Sequence, residues 1–207
     1  MFNMVIGGVG GQGTILASHI FADAAIRASV AEGKDDVNVR LGETFGAAMR
    51  GGAVASHVKV GAGVYNPLVP DNKADVILGL EPLETLRVGL KYIAPGGTVI
   101  LNTKRYEPVD VKTGQVKYTD LQDMVDIFKK LEAKLLVFDA TELAIEVGNA
   151  RTMNIVMLGA LSGCGSSPVA EKYLIEAIKD RVPAKTIDLN LKAFAAGVEV
   201  GKKGCEV

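Results

Sequence analysis

Apolar positions along the chain fall into short unbroken runs separated by stretches of helical spacing. The first run, residues 2–6, gives way to Gly7-Gly8-Val9-Gly10-Gly11-Gln12-Gly13. Beyond it Ile15, Leu16, His19, Ile20, Ala24 and Ile26 recur near a period of 3.6, so residues 14–26 are expected to be helical. The chain therefore opens as strand, glycine turn and helix. A second strand is expected at 37–41, and the glycine-bearing stretch 42–52 reads as a loop. Val54, Val58 and Val60 then oppose Ala55, His57 and Lys59, the alternation of a half-exposed strand.

Residues 74–80 form a continuous apolar run suited to a fully buried strand, and Pro82 opens a helix that reaches Tyr92. Pro95-Gly96-Gly97 turns the chain into a further strand at 98–102. Strand, helix and strand in close succession favour parallel pairing through a right-handed crossover. Between Tyr106 and Tyr118 the apolar residues are scattered, as in an excursion or hairpin. Asp120 can cap a helix running to 133, and 135–138 is another strand. Four helices follow, from Thr141 to near Gly148, over 152–161, from Pro168 onward and over 185–197. There is no repeat, no low-complexity segment and no convincing linker. The expectation is one domain over 1–207, α/β in class, with a Rossmann-like, mostly parallel sheet flanked by helices and a helical C-terminal third.

Composition narrows the partners. A chain of 207 residues is long enough to bury about 70% of its extended surface in one core. With 23 basic and 24 acidic residues it lacks the cationic excess that nucleic-acid phosphates require, so no nucleic acid is expected. No stretch approaches the ~20 apolar residues of a membrane span, and the first residues lack the basic region of a signal peptide. The expected location is cytoplasmic, with no membrane partner. Two cysteines, Cys164 and Cys205, are too few to ligate an iron–sulfur cluster and are expected as cytosolic thiols. The 24 glycines stand out, because glycine is favoured where backbone turns sharply or approaches a neighbour closely.

Gly8, Gly10 and Gly13 match the dinucleotide-binding spacing at the handover from strand to helix, where backbone amides and the helix N-terminus would face a phosphate. Tight helix–sheet packing is the plainer explanation of the same glycines. Gln12 and Thr14 can complete such a cradle without adding charge. A nicotinamide site also wants an acid at the far end of the second strand. Glu32, Asp35 and Asp36 precede that strand, and Glu43 comes later than the fingerprint expects. In the second glycine cluster, Arg50 stands beside Gly51 and Gly52, able to pair with a phosphate or carboxylate, or with Glu43 as a purely structural partner. His19 and His57 are the only histidines, and neither has neighbours at metal spacing. No serine elbow or zinc signature occurs, so no catalytic residue and no metal ligand is expected on this chain.

Three blocks of sequence resemble the gamma-type subunit of 2-oxoacid:ferredoxin oxidoreductases, nearest to the indolepyruvate ferredoxin oxidoreductase beta subunit. One is Gly8-Val9-Gly10-Gly11-Gln12-Gly13. Another runs from Met49-Arg50-Gly51-Gly52 through Asn66-Pro67 to Leu80-Glu81-Pro82-Leu83-Glu84-Thr85-Leu86-Arg87. The third joins Asn154-Ile155-Val156-Met157-Leu158-Gly159-Ala160 to Asn190-Leu191-Lys192-Ala193-Phe194-Ala195-Ala196-Gly197. They occur in family order across nearly the whole chain. The resemblance implies a complex that oxidatively decarboxylates an aryl or other 2-oxoacid with coenzyme A, yielding acyl-CoA, carbon dioxide and reduced ferredoxin.

It further implies that thiamine diphosphate and [4Fe-4S] clusters lie on a large partner subunit, and that this chain holds coenzyme A, docks to that subunit, or both. The cofactor-binding candidates are then Gly8, Gly10, Gly11, Gln12, Gly13, Thr14, Arg50, Gly51 and Gly52. Ferredoxin is reached through the complex, and a homodimer is conceivable when the chain is isolated. Two other readings stand beside this one: a free-standing NAD(P)-binding oxidoreductase, and a non-enzymatic assembly module whose glycine turns only pack.

Overall fold

A computed structural model describes residues 1–46 and 51–204. Among these residues one six-stranded sheet is formed by β1 (Phe2–Val9), β2 (Val37–Phe45), β3 (Ala53–Ala62), β4 (Ala74–Gly79), β5 (Ile93–Asn102) and β6 (Lys134–Phe138). The strand order is β2-β3-β1-β4-β5-β6. β1, β4, β5 and β6 pair in parallel, whereas β3 is antiparallel to both β1 and β2. Every strand but β3 therefore runs the same way. The expected mostly parallel α/β sheet is present, with one reversed strand inserted beside its centre.

The helices are α1 (Thr14–Ala31), α2 (Pro82–Tyr92), α3 (Val109–Lys112), α4 (Leu121–Lys130), α5 (Ala140–Val147), α6 (Met153–Gly163), α7 (Glu171–Arg181) and α8 (Ile187–Gly204). Strand alternation divides the core into two layers. Met4, Ile6, Val58, Val76, Leu78 and Ile100 face α1 and α5–α8. Val5, Ile77, Val99 and Leu101 face Leu83 and Leu86 of α2 and Phe128 of α4. Strands buried on both faces account for the unbroken apolar runs in β1, β4 and β5.

Several expectations are corrected. β1 continues through Gly7 and Gly8 to Val9, and β2 continues to Phe45, because β3 pairs with both along their full length. β3 is not half-exposed: His57 is fully buried and Lys59 nearly so. The connection after β3 covers its second face, with Val69 buried and its N–H donating to His57 Nδ1 at 3.3 Å. The turn at 95–97 is a bulge within β5, since Ala74 faces Ile93 while Val76 faces Thr98. Residues 106–118 carry the single turn α3 and no hairpin. Asp120 stands at the N-cap of α4 without a side-chain cap bond, and that helix ends at Lys130.

α1 also corrects the membrane arithmetic, being 18 residues long with a mean hydropathy of 1.2. It is a core helix: Ala17, Ile20, Phe21 and Ala24 are buried against the sheet. Asp23 and Arg27 pair with Arg181 and Asp180 of α7. Cys164 is disulfide-bonded, where a thiol was expected.

The C-terminal helices meet unusually closely. A Cβ at Gly159 or Gly163 would enter the α8 backbone at Phe194 and Val198, and one at Gly197 would enter the α6 backbone at Val156. Only glycine lets these two backbones touch.

Candidate functional site

The carboxyl ends of β1, β4, β5 and β6 converge on one edge of the sheet, the edge at which doubly wound folds bind ligands. β1 ends at Val9, and the chain turns through Gly10–Gly13 into α1. Gly13, at φ 86° and ψ 27°, is the N-cap and makes no side-chain cap. That left-handed conformation suits glycine, and a Cβ there would stand 2.5 Å from Asn154 Nδ2. The first intrahelical bond is Ala17 N–H to Gly13 O at 3.0 Å. The N–H groups of Thr14, Ile15 and Leu16 precede it and have no partner within the helix. They present the positive end of an 18-residue helix to this edge.

The glycine turn is held from beneath by side-chain amides. Gln12 Oε1 accepts from Val9 N–H at 2.8 Å and its Nε2 donates to Leu80 O at 3.3 Å. Leu80 O also accepts from Asn102 Nδ2 at 2.9 Å. Asn102, fully buried, takes Ala140 N–H on its Oδ1 at 3.0 Å. One amide relay thus ties together the ends of β1, β4 and β5 and the start of α5. On α6, Asn154 Nδ2 donates to Gly13 O at 3.2 Å, while its Oδ1 is buried with no partner.

The two glycine clusters come together: Gly10 N–H donates to Gly52 O at 2.9 Å, and Gly51 N–H to Gly10 O at 3.5 Å. Val109 N–H in turn donates to Gly51 O at 3.0 Å, so the α3 excursion buttresses the second cluster. Gly8 is buried within β1, where a Cβ would press on Gln12, Thr14 and Leu80. Gln12 is occupied as a staple at both ends of its amide. Gly11 and Gly13 lie at the surface of the turn, and Thr14 is almost fully buried. Arg50 lies outside the described residues.

Cavities open on both sides of the α1 N-terminus. One, of about 520 Å³, is walled by Ile15, Leu16, Phe45 and Val54, with His19 and Arg181 polar at its rim. The other, of about 510 Å³, lies against Gly11–Gly13 and is lined by Lys104, Arg105, Arg151, Tyr106, Thr141 and Asn154 among others. No acidic side chain lines it among the described residues. Arg105 pairs with Glu107 and sits over the Tyr118 ring, 3.9 Å from its centroid. Lys104 and Arg151 are exposed and have no ion-pair partner among the described residues.

Sequence reasoning missed all three cations. Lys104 and Arg105 follow the carboxyl end of β5 directly, and position at that edge was the available signal.

Beneath this edge lie two buried carboxylates. Glu81 accepts from Tyr118 Oη at 2.5 Å, from Tyr106 N–H at 3.4 Å and, as N-cap of α2, from Glu84 N–H at 2.9 Å. Burial raises its pKa, and these bonds only partly oppose the rise. Glu84 bonds Arg87 at 2.6 Å, and Arg87 bonds Asp110 at 2.5 Å. Burial nonetheless outweighs the Arg87 charge and pushes Glu84 up to about 7. Neither acid reaches a cavity beside α1; they hold the 106–118 excursion in place. His57 is pushed down to about 4, first by burial and then by Lys91.

The topology disfavours a nicotinamide cofactor. The strand beside β1 on the β2 side is the reversed β3, so an acid at the end of β2 stands one strand, about 5 Å, further out than the fingerprint needs. Glu43 sits near that end with Oε1 3.7 Å from His19 Nε2.

A glycine turn feeding a helix N-terminus at the carboxyl edge of a mostly parallel sheet defines an α/β module. The chain belongs to the pyruvate ferredoxin/flavodoxin oxidoreductase family, whose model matches residues 3–200. It is 41% identical over 203 residues, 98% of this chain and 96% of the relative, to indolepyruvate oxidoreductase subunit IorB of Thermococcus kodakarensis. It is 31% identical over 203 residues, 96% of this chain and 92% of the relative, to 2-oxoglutarate synthase subunit KorC of Methanocaldococcus jannaschii. The crystal structure of a keto/oxoacid ferredoxin oxidoreductase gamma subunit from Geobacter sulfurreducens superposes with a TM-score of 0.68 at 26% identity, covering 99% of this chain and 100% of that one. The protein is a subunit of a 2-oxoacid:ferredoxin oxidoreductase.

Proposed function

We propose that this subunit binds coenzyme A across the N-terminus of α1 and docks to a larger subunit that carries thiamine diphosphate and iron–sulfur clusters. The observation that carries the reading is the set of N–H groups at Thr14–Leu16 left without helical partners, flanked by a cationic and an apolar cavity. A diphosphate accepts those N–H groups and gains from the helix dipole. The cysteine count leaves cluster ligation to another chain. In the assembled complex the bond between the 2-oxoacid carboxylate and its carbonyl carbon breaks, releasing carbon dioxide. The acyl carbon would form a thioester with the coenzyme A sulfur as the thiol gives up its proton, and the clusters of the larger subunit would supply the one-electron transfers that pass the two electrons to two oxidised ferredoxins.

This chain contributes orientation of the thiol-bearing substrate and exclusion of water around it, while the redox chemistry belongs to the cofactors. Similarity to indolepyruvate oxidoreductase subunits favours an aryl pyruvate as the 2-oxoacid. The setting is cytoplasmic, where oxidised ferredoxin and coenzyme A are available.

The apolar rim of Ile15, Leu16 and Phe45, each more than a third exposed, fits a face that a partner covers. Isolated, the chain pairs with itself through the same rim.

The test is reconstitution. The chain alone should show no turnover of indolepyruvate, and adding the large subunit should restore coenzyme A-dependent ferredoxin reduction. Turnover by the lone chain, or activity of the large subunit unaffected by adding it, contradicts the reading.

A further inference from the structure

Resting on that coenzyme A reading, we propose that the cavity between the glycine turn and the β5 and α6 ends is a phosphate-monoester site that takes the terminal 3′-phosphate of the nucleotide. Its cationic residues, Lys104, Arg105 and Arg151, make this chain discriminate coenzyme A from its dephosphorylated form.

The three come from two separate connections, 103–107 after β5 and the 3₁₀ turn Ala150–Thr152 before α6, yet line one cavity of about 510 Å³. Lys104 and Arg151 make no ion pair among the described residues, as holds for most of the chain's cations; what marks them is that both line one cavity whose described lining has no acid. Arg105 pairs with Glu107 and is also held by its stack on Tyr118, which is anchored to the buried Glu81. Asn154, also in the lining and only 2% exposed, keeps an unpartnered Oδ1 beside the helix N-terminus. A lone buried acceptor of this kind calls for a ligand donor such as a ribose hydroxyl.

A phosphate monoester carries nearly two charges near neutral pH and offers three acceptor oxygens. It suits several cations better than the singly charged phosphates of a diphosphate do. The diphosphate then falls to the neutral N–H groups of α1, and the uncharged pantetheine arm to the apolar cavity on the other side.

The experiment measures equilibrium binding of coenzyme A, dephospho-coenzyme A and adenosine 3′,5′-bisphosphate to the assembled complex, wild type against Lys104→Ala, Arg151→Ala and the double variant. Both residues are exposed, and Lys130→Ala on α4 controls for net charge. The wild type should prefer coenzyme A over the dephospho form. The double variant should lose about ten- to a hundredfold in affinity for coenzyme A and the bisphosphate, with little change for the dephospho form. Equal weakening of coenzyme A and the dephospho form, or preserved discrimination in the double variant, overturns the 3′-phosphate assignment and leaves coenzyme A binding intact. Wild-type complex that binds none of the three overturns the coenzyme A reading and this inference with it.

Discussion

Gln12 shows how one side chain can shape a glycine turn from beneath. With its oxygen on Val9 N–H and its nitrogen on Leu80 O, it joins the ends of two parallel strands. Gln12→Leu should cost about 1–3 kcal/mol, read as a lower urea midpoint, because Leu80 O keeps Asn102 whereas Val9 N–H loses its acceptor. Two buried ionisable groups give opposing pH dependences. Glu84, raised to about 7, binds its proton more tightly in the folded state, so its contribution declines as pH rises from about 4.5 to 7. His57, lowered to about 4, is held neutral, so its contribution is complete above about 6.5 and is lost as pH falls towards 4. Urea midpoints across that range should therefore be flatter in the wild type than in either Glu84→Gln or His57→Gln. The first variant should fall off mainly towards acid and the second mainly towards neutrality; parallel profiles for all three proteins would contradict the assignment. At this scale the glycine string was legible, because its spacing lies within one turn. Lys104 and Arg151 were not, since they share a cavity only once the ends of β5 and α5 are brought together.

The crossing of α6 and α8 depends on what its residues lack. A methyl group at Gly197 has no space against the Val156 carbonyl, so Gly197→Ala must separate the helices. Overpacking of this kind costs about 1–3 kcal/mol or more, and a thermal melt should show a fall of several degrees. Gly114→Ala, at a turn where nothing lies within 4 Å of the added carbon, serves as a comparison with only backbone strain to bear. Most elements were legible from periodicity, and β1, α1, β4, α2 and the C-terminal helices stand close to where the apolar spacing put them. What escaped was tertiary in origin. β2 extends to Phe45 because β3 supplies a partner for every residue of it, and β3 is buried on both faces because a connection of irregular backbone lies over His57. Neither cause has a local signature.

At the level of the whole molecule, the reversed β3 sets this fold apart from a dinucleotide-binding sheet. It places a loop beside β1 where a parallel strand would deliver a ribose-binding acid, and that loop is stitched to the glycine turn through Gly10 and Gly52. NAD should accordingly fail to compete with coenzyme A in the assembled complex, a result that fluorescence or calorimetric titration can check. The apolar rim predicts oligomeric behaviour as well. In sedimentation experiments the isolated chain should show reversible self-association, weakened by Phe45→Ser and abolished by adding the large subunit. A chain that stays monomeric at all concentrations would argue that the rim faces something other than protein.

Because Asn154 rides on α6, and α6 is seated on α8, the last described helix underwrites the geometry of the first glycine turn. On the proposed coenzyme A reading, a truncation that removes α8 should register as weakened nucleotide affinity, although no described α8 residue lines either cavity beside α1. Damage at one terminus would thus be felt as a loosened grip at the other.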